Sequence, residues 1–154
     1  MAKLLYLDYN CFQRGYDDPS QIRIVLEAAA CREIFLQALR RDVAIVWSFM
    51  HKDETTACKI VKRREEALNL AGLCEIFVKP TEDILRIGLR YSNAARIDPK
   101  DALHLACASI GSRVAKETRQ RKMPSSRGFF AVAFNTREPI KRARHTLSRV
   151  TTNY

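Results

Sequence analysis

Short apolar runs alternate along this chain with longer stretches in which apolar residues recur every three or four positions, the rhythm of buried strands between amphipathic helices. Leu4-Leu-Tyr-Leu7, closed by Asp8, predicts a first buried strand. Asp17-Asp-Pro-Ser20 predicts a turn with Ser20 as helix cap, and Ile24, Ala28, Cys31, Phe35 and Ala38 then mark one helical face over 21–41. Val43 to Trp47 predicts a second strand. Ser48 can cap a helix that carries His51 and Glu54 and continues through the charged stretch Lys59 to Glu66 to about Gly72. Glu75 to Val78 predicts a third strand, stopped by Pro80, and Thr81 caps the next helix with Glu82 and Asp83 in its first turn.

Asp98-Pro-Lys-Asp101 is the clearest helix start: an N-cap Asp, Pro at the first helical position and a carboxylate at the third. Leu103, Ala106 and Ile110 share a face of that helix, which runs to about Arg121. The loop-like stretch 123–128, a fourth strand over 129–134 and a basic helix over 139–148 complete the pattern. Strands alternating with helices predict a three-layer α/β/α sandwich on a mainly parallel sheet of four to five strands. A length of 154 residues predicts a single domain over 1–154.

Charge changes this picture in one place. Residues 112–154 hold 11 of the 27 Lys and Arg but only Glu117 and Glu138 of the 17 acids, so most of the net charge of +10 belongs to the C-terminal third. That third reads either as a solvated basic ending or as a phosphate-attracting surface. No apolar run approaches the length of a bilayer helix, and Leu4 to Leu7 is too short for a signal-peptide core. Cysteines 11, 31, 58, 74 and 107 are odd in number with no CxxC spacing, predicting reduced, mostly packed thiols in a cytoplasmic protein.

The candidate chemistry is acidic. In parallel sheets, ligands gather at the carboxyl ends of strands. Asp8 and Asn10 follow the first strand, Ser48 and Glu54 the second, Asn135 and Thr136 the fourth, and Asp101 opens the helix before the fourth. Carboxylates sharing one pocket need a cation or protons, and hard oxygen ligands in an incomplete shell suit Mg²⁺ or Mn²⁺. Each residue has an ordinary reading beside this one. Asp101 reads also as a capping carboxylate, Glu54 as a solvated helix residue, Glu27 as a partner of Arg23 or Arg32, and His104 as a packed helix residue.

Read together, Tyr6-Leu-Asp-Tyr-Asn10, the loop and helix start from Cys11 to Glu27, Ser48 with Glu54, and Asp101-Ala-Leu-His-Leu-Ala106 resemble the motifs of the PIN domain, the nuclease fold of VapC-type toxins. The resemblance covers residues 4–110, and its third motif is the most specific. It implies a PIN-like fold and a metal-dependent endoribonuclease in which Asp8, Glu54 and Asp101 bind Mg²⁺ or Mn²⁺. Asn10 would hold Asp8, Ser48 would support the acids by hydrogen bonding, and Glu27 would belong to the pocket or brace it. It further implies an RNA substrate, a cognate antitoxin of a type II toxin–antitoxin pair and frequent homodimers. The family places a further Asp after strand four, where this chain has Phe134-Asn-Thr-Arg-Glu138, so Asn135 takes that position and the basic 112–154 diverges. The alternative is a PIN-like domain that binds RNA or an antitoxin without cleaving. A small-molecule phosphohydrolase is disfavoured, because the five glycines lie far apart and form no phosphate loop.

Overall fold

A computed structural model describes residues 2–122 and 130–133. The chain is an α/β protein with a parallel sheet: β1 (Lys3–Leu7), β2 (Val43–Ser48), β3 (Ile76–Val78) and β4 (Phe130–Ala133) lie in the order β3-β2-β1-β4. Register runs Leu4↔Ala44 and Tyr6↔Val46 between β1 and β2, Val46↔Ile76 between β2 and β3, and Leu4↔Phe130 between β1 and β4. The central strand β2 is buried along its whole length, as a strand covered on both faces must be.

Because successive side chains point to opposite faces of a strand, the two faces build two cores. Leu7, Val43, Ile45 and Trp47 pack with Cys31, Phe35 and Ala38 of α1 (Ile22–Leu39) and with Ala67, Leu70 and Ala71 of α3 (Val61–Ala71). Leu4, Tyr6, Ala44 and Val46 pack with Ile84 of α4 (Glu82–Ala95) and with Ala106, Cys107, Ala108 and Ala115 of α5 (Pro99–Lys122). Small residues let α5 lie close to the sheet. At Gly111 an added Cβ would sit 2.8 Å from Val46 Cγ1.

Helix ends follow the expected chemistry at Ser48, where a capping box with His51 forms, and at Thr81 and Asp98, and depart from it at Ser20 and after Ala57. Thr81 accepts from Ile84 N–H at the start of α4. Asp98 Oδ1 accepts from Lys100 N–H at 2.8 Å at the start of α5, with Pro99 as its first residue. Ser20, by contrast, does not cap α1. Its N–H and hydroxyl both donate to the Asp18 carboxylate, at 2.9 and 2.7 Å, so the helix starts after Gln21 without a side-chain cap.

The helix expected from Ser48 to Gly72 is two helices, α2 (Phe49–Ala57) and α3, with Cys58–Ile60 between them. Thr55 and Thr56 return their hydroxyls to the carbonyls of His51 and Lys52, a competition that weakens helix interiors. Cys58 and Ile60 then adopt extended backbone. Arg63 holds the new helix by donating to the Tyr16 carbonyl at 2.9 Å. The expected loop at 123–128, the basic helix at 139–148 and Asn135 lie outside the described residues. No helix among the described residues is long and apolar enough to cross a membrane. Cys11, Cys31, Cys74 and Cys107 are buried and Cys58 is half-buried, as packed thiols should be.

Candidate active site

The carboxyl ends of β1 and β2 meet the start of α5. Asp8 leaves β1 with extended backbone and its Oδ1 accepts from Asn10 N–H at 2.8 Å, closing the short 3₁₀ turn Tyr9–Phe12. Asn10 thus fixes Asp8 through its backbone. Glu54, on α2, is reached from α5 by Lys100 Nζ at 2.5 Å and by His104 Nε2 at 3.4 Å. Asp101 stands exposed in the first turn of α5. The cap of that helix is Asp98, and the Asp101 carboxylate makes no hydrogen bond or ion pair among the described residues. The charges of Glu54, Asp8 and Asp101 all act on the Lys100 ammonium and hold its pKa above the ordinary lysine value, with the Glu54 hydrogen bond as the main cause. Burial alone would raise the Glu54 carboxyl, but His104 and Lys100 outweigh it and hold it below the usual range.

Behind Glu54 runs a buried polar chain that the sequence reading did not identify. Tyr6 OH lies 2.8 Å from His104 Nδ1 and 2.9 Å from Ser48 Oγ. Ser48 N–H donates to His51 Nδ1 at 2.9 Å, and His51 Nε2 lies 2.7 Å from the Leu7 carbonyl. A carbonyl can only accept, so His51 carries its proton on Nε2. Burial depresses its pKa to about 4, which keeps the ring neutral. Burial also lifts the Tyr6 phenol far above its usual range, so the hydroxyl keeps its proton. His104 thus bridges the two groups, with Nδ1 at the Tyr6 hydroxyl and Nε2 3.4 Å from Glu54 Oε2. The chain fixes the orientation of the His104 ring and turns its Nε2 edge toward Glu54.

Of the expected residues, Glu54, Asp8 and Asp101 converge electrostatically on one ammonium, and Ser48 braces the layer beneath. Glu27 does not join them. Arg14, itself buried, and Arg23 (Nε to Oε1 2.7 Å) both pair with it, which ties α1 to the turn Arg14–Tyr16 that also holds Asp17 at 2.7 Å. Glu27 therefore braces the loop that follows β1. Among the described residues no three His, Cys, Asp or Glu side chains stand together as a metal-holding group; the group facing the acids is Lys100. The signal for the missed residues was helical spacing: Lys100 and His104 lie four apart on α5, His51 and Glu54 three apart on α2. Searched against family models, curated proteins and solved structures, the chain finds no match in any of the three.

Proposed function

We propose that the protein is a PIN-like, three-layer α/β/α domain of four to five strands, acting in the cytoplasm as a metal-dependent endoribonuclease and as the toxin of a type II toxin–antitoxin pair. One observation carries this reading: Glu54, behind the carboxyl end of β2, pairs with Lys100 at the start of α5, beside Asp101 and within the electrostatic reach of Asp8. The donor set suits the metal. Asp8, Glu54 and Asp101 offer hard oxygen ligands, which is the chemistry of Mg²⁺ or Mn²⁺ and not of zinc. When bound, such an ion lowers the pKa of a coordinated water and neutralises charge that develops on phosphate oxygens. The chain's own residues do the positioning. Asn10 N–H orients Asp8, and the Tyr6–His104 pair orients Glu54 from behind. Asp101, exposed beside Lys100, completes the set.

On this reading the substrate is RNA, a cognate antitoxin controls the activity and the protein forms a homodimer. The test is cleavage of single-stranded RNA by the purified protein in Mn²⁺. Cleavage that stops on chelation and in both Asp8→Asn and Asp101→Asn supports the nuclease. Salt-sensitive binding of RNA without cleavage supports instead a PIN-like domain that only binds.

A further inference from the structure

Lys100 stands where its own helix does not favour it. It is the second residue of α5, at the positive end of the helix dipole, where acids are stabilising and a cation is not. What holds it there is across the helix boundary: Glu54 at 2.5 Å, with the charges of Asp8 and Asp101 added. The two partners differ in freedom. The Lys100 side chain is 56% exposed and Glu54 17%, and Glu54 also lies against buried His104, so the lysine is the partner able to leave. Its four-carbon stem lets the ammonium swing into solvent while staying tethered beside the acids.

We propose that Lys100 is a displaceable internal counter-ion, which neutralises the acidic pocket before a divalent cation enters, competes with that cation and on release presents its ammonium to an RNA phosphate. The inference rests on the reading of Asp8, Glu54 and Asp101 as metal ligands and adds to it a control on metal loading. Two like charges cannot share the same carboxylates without mutual repulsion, so entry of the dication requires the ammonium to withdraw. Once outside, a point charge on a flexible stem suits a phosphate oxygen. Metal loading and binding of a polyanion then favour one another.

The test is calorimetric titration of Mn²⁺ alone into the wild type, Lys100→Met, Lys100→Gln and Lys100→Arg, with thermal melts to establish that each is folded. Lys100 is exposed, so a neutral side chain there leaves both cores untouched. Loss of the competing charge should tighten Mn²⁺ binding about three- to tenfold in the Met and Gln variants. The Arg variant, which keeps the charge, should stay near the wild type. Unchanged or weaker binding in Lys100→Met and Lys100→Gln, with Mn²⁺ still bound by the wild type, overturns the counter-ion role alone. Tightening in Lys100→Arg equal to that in Lys100→Met overturns it as well, because charge would not then be the cause. If no variant and not the wild type binds Mn²⁺, the metal reading itself fails and this proposal with it.

Discussion

Glu54 is held from two sides by groups of different character, an exposed ammonium in front and a buried imidazole behind. The front partner stands in solvent and the rear one is buried, where His104 is itself positioned by Tyr6, and Tyr6 by Ser48. Tyr6→Phe removes the hydroxyl that serves both partners and leaves the buried His104 Nδ1 without that partner. It should destabilise the fold by about 1–3 kcal/mol, read by urea unfolding. His51 gives a pH prediction. Its folded pKa lies near 4 and its unfolded value near 6.5, so the unfolded chain binds the extra proton first. Its contribution is complete above about pH 6.5 and is lost as pH falls toward 4, at a slope approaching about 1.4 kcal/mol per pH unit. Urea midpoints should drop across that window, and the His51 ring protons should not titrate near 6.5 in NMR spectra.

Elements were legible from the sequence where their signals were local. Thr81 and Asp98 sit beside the helices they cap, and the apolar runs beginning at Leu4 and Val43 needed only their own residues to be read as buried strands. One cap and one boundary were missed for equally local reasons that compete with capping: Asp18 takes the Ser20 donors, and the Thr55-Thr56 pair turns its hydroxyls back on the helix. The site was legible only in part, since Tyr6 and His104 meet across 98 positions and no spacing rule reaches that far. Element packing supplies its own tests. Gly111→Ala would drive a methyl to 2.8 Å from Val46 Cγ1, a β-branched side chain of β2 fully buried between the sheet and α5. A loss of about 1–3 kcal/mol in unfolding free energy should result. Arg96 ends α4 in the left-handed region at φ 51°, which a side chain disfavours, so Arg96→Gly should be neutral or stabilising by up to about 1 kcal/mol in the same measurement.

At the scale of the molecule, two cores on opposite faces of one parallel sheet leave the carboxyl ends of β1 and β2 as the natural place for chemistry. The helix α5 enters that place with Lys100, Asp101 and His104, so that Asp101 adjoins the lysine paired with Glu54. Asp101 is the decisive residue, because it is exposed, its helix is capped by Asp98, and the fold gains little from its charge. The most direct test is Mn²⁺ affinity of Asp101→Asn against the wild type, read by the electron paramagnetic resonance of free and bound ion. The account predicts one Mn²⁺ site in the wild type and binding at least about tenfold weaker in the variant, with the melting temperature in chelator nearly unchanged. Equal Mn²⁺ affinity in the two proteins would contradict it.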